Sequence, residues 1–497
     1  MGLQLNGSWQ RLLRLARGDG KKNVRSLAMR GSVFTIVGYG TSNLLRLGSN
    51  ILLAHLLFPE AFGLMVLVAV FVQGLAMFSD VGIGPSIIHS TRGEDPRFLN
   101  TAWTVQAVRG FVLWGCACAG SAYYADFYEK PELALLIPVA GFAAVLAGFN
   151  STKIFSAARN LALGRKTLNE VSSQLAGALV MISWAQLDRS VWALVAGSLT
   201  QVGGLMVLSH VNLPGIKNRF CMDRDSAREL FGFGKWVFVS TMVTFFALQI
   251  DRLMLGKLVP TDMLGVYGIA VTLATLPQIV GGMLTGTVQY PVLARYARED
   301  PAGLPARVLE LRKGLLQSAT FALLGVALIS PAFFRIAYDY RYAAGEWMTP
   351  LMTISAWFLL LQVTADRALL AVGDTRSLAL TNLAAFALKV VGCHYGFQGW
   401  GVPGFIIGVT LGTLAGHLVV QAALRRHSIR IMRQDLCATG LAFGCGLPAA
   451  VLPTTLAPAL GFEGLWARSW LELGFALCVL IPLGIAASKS FRAGRVT

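Results

Sequence analysis

Charged residues are scarce in this chain. They make up 13% of 497 residues, with 25 Asp and Glu against 42 Lys and Arg, where a soluble domain carries roughly 25%. So few charges cannot clothe a water-facing surface of this size. Several motifs are missing as well. No Gly-x-x-x-x-Gly-Lys-Ser/Thr loop occurs, which excludes ATP hydrolysis by a P-loop. The absence of a His-Glu-x-x-His motif, a carboxylate cluster and a Gly-x-Ser-x-Gly elbow removes zinc-peptidase and α/β-hydrolase chemistry. The six histidines are scattered, and His55, near an outer helix end, reads as interfacial rather than catalytic. Seven cysteines lie mostly in apolar stretches, with no zinc-like spacing beyond Cys116-x-Cys118, and read as small core residues. Alternating segments of about ten residues are absent, which excludes a membrane barrel. The first 30 residues hold no long apolar core and no small-residue cleavage site, so they do not read as a secretory signal.

What the chain has is apolar length. It is 55% hydrophobic with a mean hydropathy of +0.61. Apolar runs long enough to cross a bilayer recur from about residue 31 to residue 488, giving an all-α polytopic membrane protein. Runs of about 20 residues predict fourteen helices: 31–57, 63–88, 101–123, 133–152, 168–187, 190–209, 237–258, 264–290, 314–335, 349–372, 379–399, 403–424, 436–458 and 469–488. Pro59, Asp95-Pro96, Pro131, Pro214-Gly215, Pro260 and the Gly-rich stretch 399–404 supply the breaks. The amino-terminal segment and the even-numbered connections carry thirty-one of the 42 basic residues. The odd-numbered connections carry six, and five lie within spans. Basic residues stay on the cytoplasmic side, so both termini are expected there. The same bias accounts for most of the +17 net charge without nucleic acid.

The expected division follows. Residues 1–30 form a basic amphipathic segment on anionic lipid (a mitochondrial presequence is the competing reading), and 31–209 a six-helix lobe. Residues 210–236 form a cytoplasmic connection and 237–424 a second six-helix lobe. Residues 436–488 add two further helices, and 489–497 form a cytoplasmic tail. Val308, Leu311 and Leu315, interleaved with Arg307, Arg312 and Lys313, predict a short helix on the membrane surface before the ninth span.

Five cations lie within the spans: Arg46, Arg109, Arg252, Arg367 and Lys389. Each costs about 3 kcal/mol at mid-bilayer by insertion scales, so each needs a partner or a water-filled cavity. Three acids share their depth, Asp80, Asp251 and Asp366, leaving a surplus of two positive charges that suits an anionic ligand. Tyr39, Asn43, Arg46 and Asn50 follow at helical spacing on one face. That face is a cavity wall or a helix–helix hydrogen-bond seam, and the cavity is favoured because Arg needs more than amides to offset its desolvation. Asp80, before Gly82, Gly84 and Pro85, is a cation or proton site or a partner for freed backbone. Asp251-Arg252 and Asp366-Arg367 repeat as dipeptides whose members point apart. They read as gate pairs at two mouths of a pathway or as structural ion pairs. Gln249 and Gln362 lie beside them. Gln106 and Gly110 flank Arg109, and Lys389 reads as a buried structural partner.

Ordered motifs then point to a family. They are Leu56-Leu57-Phe58-Pro59-Glu60-Ala61-Phe62-Gly63-Leu64, Phe78-Ser79-Asp80-Val81-Gly82-Ile83 and Asn100-Thr101-Ala102-Trp103. Phe231-Gly232-Phe233-Gly234-Lys235-Trp236, Asp251-Arg252-Leu253-Met254-Leu255-Gly256-Lys257 and Leu264-Gly265-Val266-Tyr267-Gly268-Ile269-Ala270 continue the set. Ala371-Val372-Gly373-Asp374-Thr375 and Tyr395-Gly396-Phe397-Gln398-Gly399-Trp400-Gly401-Val402 complete it. The chain resembles the polysaccharide flippases of the MOP exporter superfamily. The resemblance implies two lobes around a central cationic cavity in the bacterial inner membrane. It also implies export of polyprenyl-diphosphate-linked oligosaccharide for exopolysaccharide, capsule or O-antigen, by ion-coupled alternating access. It places Arg46 and Arg252 on the diphosphate. Asn43, Asn50, Arg109, Gln249 and Gln289 are further substrate candidates from the residues themselves, and Asp80, Asp251, Asp366 and Arg367 are gate or coupling candidates. No cofactor is expected beyond a coupling proton or sodium ion. The expected partners are the lipid-linked glycan, membrane lipid and a polysaccharide polymerase machinery. A lipid II flippase and a multidrug exporter of the same superfamily are the neighbouring readings. A membrane-bound glycosyltransferase or polymerase is the reading from another class, and the short outer loops weigh against it.

Overall fold

The computed structural model describes residues 24–79, 82–160, 162–459, 469 and 471–482. No strand occurs among them. The helices are α1 (Val24–Leu56), α2 (Pro59–Phe78), α3 (Ile83–His89), α4 (Pro96–Tyr128), α5 (Leu133–Gly141), α6 (Ala143–Gly148), α7 (Lys153–Arg159), α8 (Leu163–Leu187) and α9 (Trp192–Val211). They continue with α10 (Arg224–Leu258), α11 (Thr261–Leu284), α12 (Tyr290–Glu299), α13 (Leu304–Ala337), α14 (Gly345–Ala371), α15 (Thr375–Arg426) and α16 (Met432–Ala459). A last stretch, α17, covers Leu471–Pro482. Among the described residues, six helical segments are long and apolar enough to cross a membrane, or seven if the bent pair Leu133–Gly148 and Lys153–Arg159 is one span. Thus the chain is a multi-pass helical membrane protein, while the expected total of fourteen spans goes beyond this set.

The punctuation follows local chemistry. Asp95 accepts a hydrogen bond from the Arg97 amide at 2.9 Å, and Pro96 opens α4 where a missing N–H costs nothing. Asp223 accepts from the Ser226 amide and hydroxyl at 2.9 and 2.5 Å, so α10 begins at Arg224, inside the connection expected over 210–236. Trp400 and Gly401 leave helical geometry, the latter at φ 61°, and divide α15 into two arms. At 1.5 Å per residue the whole of α15 would run roughly 78 Å, far beyond a bilayer core of about 30 Å, so the arms are two crossings.

The chain forms two compact units. One comprises the residues up to Leu57 with Leu67–Met242, and the other Phe58–Val66 with the residues from Val243. In the first unit the fourth expected span is broken, with a bend of 59° between α5–α6 and α7. Gln106 Nε2 donates to the freed carbonyls of Ala147, Gly148 and Asn150 at 3.0, 3.1 and 3.2 Å, and a histidine ring nitrogen, His210 Nε2, lies 2.8 Å from that of Phe149. Irregular backbone survives at membrane depth only when satisfied in this way. Ile83, Ile87, Phe98, Leu99, Ala102, Val105 and Leu230 form an adjacent core.

In the second unit the two arms of α15 pack through glycine. A Cβ on Gly396 would fall 2.2 Å from the Gly404 carbonyl oxygen, and one on Gly404 2.0 Å from that of Gly396. Between apolar helices such close approach supplies the dispersion contact that hydrophobicity cannot. Leu293, Leu304, Val308, Ala365, Leu369, Val420 and Leu424 form the core shared by α12, α13, α14 and the second arm of α15. Val308 is fully buried there. The stretch expected as a membrane-surface helix is instead the first turns of α13, because its apolar face meets α14 and α15 rather than lipid headgroups.

Candidate functional site

Two sets of polar side chains stand out, one in each unit. In the first, α1 carries Asn43, Arg46 and Asn50. Asn43 Nδ2 donates to the Tyr39 carbonyl at 2.8 Å, which turns its Oδ1 outward to accept from Arg46 Nη2 at 2.7 Å. The Arg46 guanidinium is exposed and forms no ion pair among the described residues. Asn50 is half-buried and makes no hydrogen bond among them. The bond from α1 to another helix runs through Ser42 instead, whose carbonyl accepts from Gln174 Nε2 of α8 at 2.7 Å. Arg109 of α4 donates to Ser79 Oγ at 2.9 Å and to the Ala76 carbonyl at 2.5 Å. It thereby places a cation at the carboxyl end of α2, where the helix dipole favours one. Asp80 lies outside the described residues.

In the second unit α10, α11 and α15 bring four of the marked residues together. Asp251 is 7% exposed; its Oδ2 accepts from the Tyr267 hydroxyl at 2.8 Å, while Oδ1 is buried without a hydrogen bond among the described residues. Arg252 Nη1 donates to Gln249 Oε1 at 2.7 Å. Lys389 is buried and donates to the Ala247 carbonyl at 2.9 Å, which anchors the first arm of α15 to α10. Gln289 sits in a π-helical turn, Thr285–Gln289, where its Nε2 donates to the Thr364 carbonyl at 3.0 Å and its Oε1 is unpartnered. It is buried, so it faces protein. Asp366 Oδ1 and Arg367 Nε have no hydrogen-bond partner among the described residues, and neither does Gln362 Oε1.

The most heavily buried charges were not marked from sequence. Arg312 of α13 is completely buried and Asp435 of α16 is 3% exposed; Nη2 and Oδ1 lie 2.9 Å apart. Arg312 also donates to Thr364 Oγ1 at 3.1 and 3.2 Å and to the Leu361 carbonyl at 3.3 Å. His417 and Gln421 of α15 reach the other carboxylate oxygen at 3.2 and 2.9 Å. Their signal was present: Leu304, Val308, Arg312 and Leu316 follow at steps of four, placing Arg312 on the buried apolar face. Arg335, at the far end of α13, pairs with Glu346 at 3.2 Å and with Glu472 of α17.

At the surface of the first unit Arg92 pairs with Asp95 at 3.1 Å and Asp223 at 3.6 Å. The Ser226 hydroxyl and amide hold the Asp223 carboxyl below its usual range. In the second unit an apolar cavity of about 490 Å³ is lined by Leu324, Leu328, Trp347, Ile354, Trp357 and Phe443 among others. That lining offers a diphosphate no charge.

Residues 52–342 match the model of the family described as Polysaccharide biosynthesis protein. The chain belongs to this family. A curated relative of this polysaccharide biosynthesis protein is the Teichuronic acid biosynthesis protein TuaB of Bacillus subtilis (strain 168), 22% identical over 325 residues. That match covers 63% of this chain and 66% of TuaB, just under two thirds of the relative's length. Among solved structures, the Lipid II flippase MurJ in an inward closed conformation is similar at a TM-score of 0.67 and 12% identity, covering 94% of this chain and all of that one. An inward-facing multidrug resistance MATE family transporter of the MOP superfamily is similar at 0.60 and 13% identity, covering 78% of this chain and 94% of that one. At such identities the likeness is one of fold. The family match bears out the resemblance to polysaccharide biosynthesis proteins, and the fold is like that of these MOP-superfamily structures.

Proposed function

We propose that this polysaccharide biosynthesis protein moves polyprenyl-diphosphate-linked glycan units from the cytoplasmic to the periplasmic leaflet of the bacterial inner membrane, with both termini in the cytoplasm. The observation that carries the reading is the state of Arg46 and Arg252. Each is a cation in an apolar helix, and each guanidinium bonds only an amide oxygen one turn away, without an ion pair among the described residues. A guanidinium held this way keeps donors for a phosphate, which it binds in bidentate fashion. The Asp251 carboxylate bonds the Tyr267 hydroxyl and leaves Arg252 unneutralised by an ion pair. Teichuronic acid biosynthesis and lipid II, in the names of two similar proteins, accord with a cell-envelope glycan as cargo. An exporter of cationic drugs would call for an acidic lining, and these two arginines oppose it. Alternating access would draw on an ion gradient, with Asp251 and Asp366 as coupling acids on this reading.

The test is translocation of a fluorescent polyprenyl-diphosphate oligosaccharide in proteoliposomes, with lipid II as a parallel cargo. A charge-assisted bond to phosphate contributes about 1.5–3 kcal/mol, so Arg46→Ala and Arg252→Ala should each lower transport roughly ten- to a hundredfold. Membrane-inserted variants that flip at the wild-type rate would sink the reading. A preference for lipid II would reassign the cargo.

A further inference from the structure

Five arginines collect at one end of the second unit. Arg376 lies in the first turn of α15, Arg425 and Arg426 in its last turn, Arg430 in the connection that follows and Arg433 in the first turn of α16. The His427 ring, 3.1 Å from Asp374 Oδ2, ties the start of α15 to its end. All five arginines are exposed, and none forms an ion pair among the described residues. Arg425 reaches only the Met432 sulfur, a weak acceptor without charge. The acids nearest in the chain are engaged, Asp374 with Ser377 and His427, and Asp435 with Arg312, His417 and Gln421. Arg295 and Arg307, by contrast, have Glu299 and Glu310 one turn on. The connection that carries the cluster is fixed. The Ile429 N–H donates to the Leu424 carbonyl at 3.0 Å and the Ser428 N–H to that of Arg425 at 3.1 Å, with Ser428 in the left-handed region at φ 63°. These are the two bonds of a Schellman turn, and Ile429 and Leu424 share the core as such a turn requires. Ile431 is buried in the same core, so Arg430 between the two isoleucines is left outside.

Three of these guanidiniums end an exposed apolar stripe. Arg376 precedes exposed Leu380 and Leu383 by four and seven residues, and Arg425 follows exposed Leu418 by seven. Arg433 precedes exposed Leu436 and Cys437 by three and four. Such steps keep to one helix face. An exposed apolar face on a membrane-spanning helix suits acyl chains, and a cation at its end stands at the level of the headgroups, its carbon stem along the apolar wall. We propose that Arg376, Arg425, Arg426, Arg430 and Arg433 form a docking surface for acidic phospholipids in the leaflet at this end of α15 and α16. The stripes receive the chains and the guanidiniums the phosphates, which they bind in bidentate fashion. Five positive charges without an acid among them favour a headgroup of net negative charge over one that also carries a cation. A soluble polyanion would use the charges but not the stripes beneath them. Because the Schellman turn holds the cluster in place, little chain ordering opposes binding. The surface is independent of the cargo and of Arg46 and Arg252.

The experiment is native mass spectrometry of the full chain in detergent, with phosphatidylglycerol and phosphatidylcholine of identical acyl chains offered in competition. The wild type should retain phosphatidylglycerol in preference, and the preference should weaken as salt is raised. Replacing the arginines by glutamine should lower it roughly fivefold for each charge removed, until both lipids bind alike. The matching lysine variant keeps the charges and should keep a preference, which separates lost attraction from lost fold; its loss there too overturns the electrostatic account. Lys217→Gln with Arg219→Gln removes exposed cations of the first unit and should change nothing. An equal fall in that variant would trace the preference to net charge at large and overturn the surface. Glycerol phosphate bound as tightly as the intact lipid would leave an anion site without use for the stripes, and would overturn the lipid assignment. A wild type that does not distinguish the two lipids overturns the proposal outright.

Discussion

Three charged residues show how the degree of burial sets the consequences of substitution. Arg312 and Asp435 are enclosed by protein, so removing one partner leaves the other charge uncompensated. Arg312→Met should cost about 3–5 kcal/mol, and Arg312→Met with Asp435→Leu markedly less, because the pair offsets its own desolvation only while both members stay. Thermal unfolding in detergent of the three proteins decides this, and a double variant as unstable as the single would refute it. Asp374 is the half-buried counterpart. The Ser377 hydroxyl and amide donate to it at 2.7 and 3.0 Å and the His427 ring lies 3.1 Å away, which holds its carboxyl at about 2 instead of 3.8. A depressed carboxyl stabilises the fold above its unfolded value, so this contribution is complete above about pH 4 and is lost as the pH falls toward 2. Asp374→Ala should therefore melt below the wild type near neutral pH, and the gap should close as the medium is acidified through that window. A gap independent of pH would show that the carboxylate charge plays no part.

Helix boundaries were legible because their causes are local. Pro59, Asp95-Pro96, Pro260 and Gly401 end or open helices through the backbone they themselves constrain. The burial of Val308 was not legible, because an apolar stripe beside arginines reads alike whether it meets lipid headgroups or the core of α14 and α15. The break after α6 was not legible, since 133–152 reads as one span: the sequence shows no proline at 149–152, and the carbonyls there are held by Gln106 from another helix. Close helix crossings belong to this scale too. Gly63 and Gly265 face one another's chains in the second unit: a Cβ on Gly63 would fall 1.8 Å from the Thr261 carbonyl oxygen, and one on Gly265 2.0 Å from that of Pro59. Each contact is with backbone, which cannot swing aside as a side chain does. Gly63→Val and Gly265→Val should each force these helix starts apart and cost about 1–3 kcal/mol or more. Crosslinking between cysteines placed at Phe62 and Tyr342, whose rings now meet edge to face at 6.2 Å, should fall in both variants. Unchanged crosslinking would mean that the crossing tolerates the added methyls.

For the molecule as a whole, composition and hydropathy sufficed for a helical membrane protein, since a bilayer admits few ways of satisfying backbone in so apolar a chain. They did not suffice for the site. Arg46, Arg252 and Lys389 were visible as charges in apolar runs, but Arg312, Asp435 and His417 lie in or near basic connections and scattered positions, and only the fold brings them together. Orientation is the remaining property written in the chain at large. With thirty-one basic residues assigned to one side and six to the other, the connection between α13 and α14 should face the periplasm and that between α15 and α16 the cytoplasm. Tyr340 is 87% exposed in the first connection, and Arg430 is exposed in the second. In a chain stripped of its seven cysteines, Tyr340→Cys should react with a membrane-impermeant maleimide added to intact spheroplasts. Arg430→Cys should react only after the membrane is opened. Tyr340 opens a short 3-10 turn and Arg430 lies outside any helix, and both side chains are exposed, so the two labels report sidedness with little disturbance of packing. Because the proposed direction of transport is fixed by this orientation, the reverse labelling pattern would invert that direction as well as the topology.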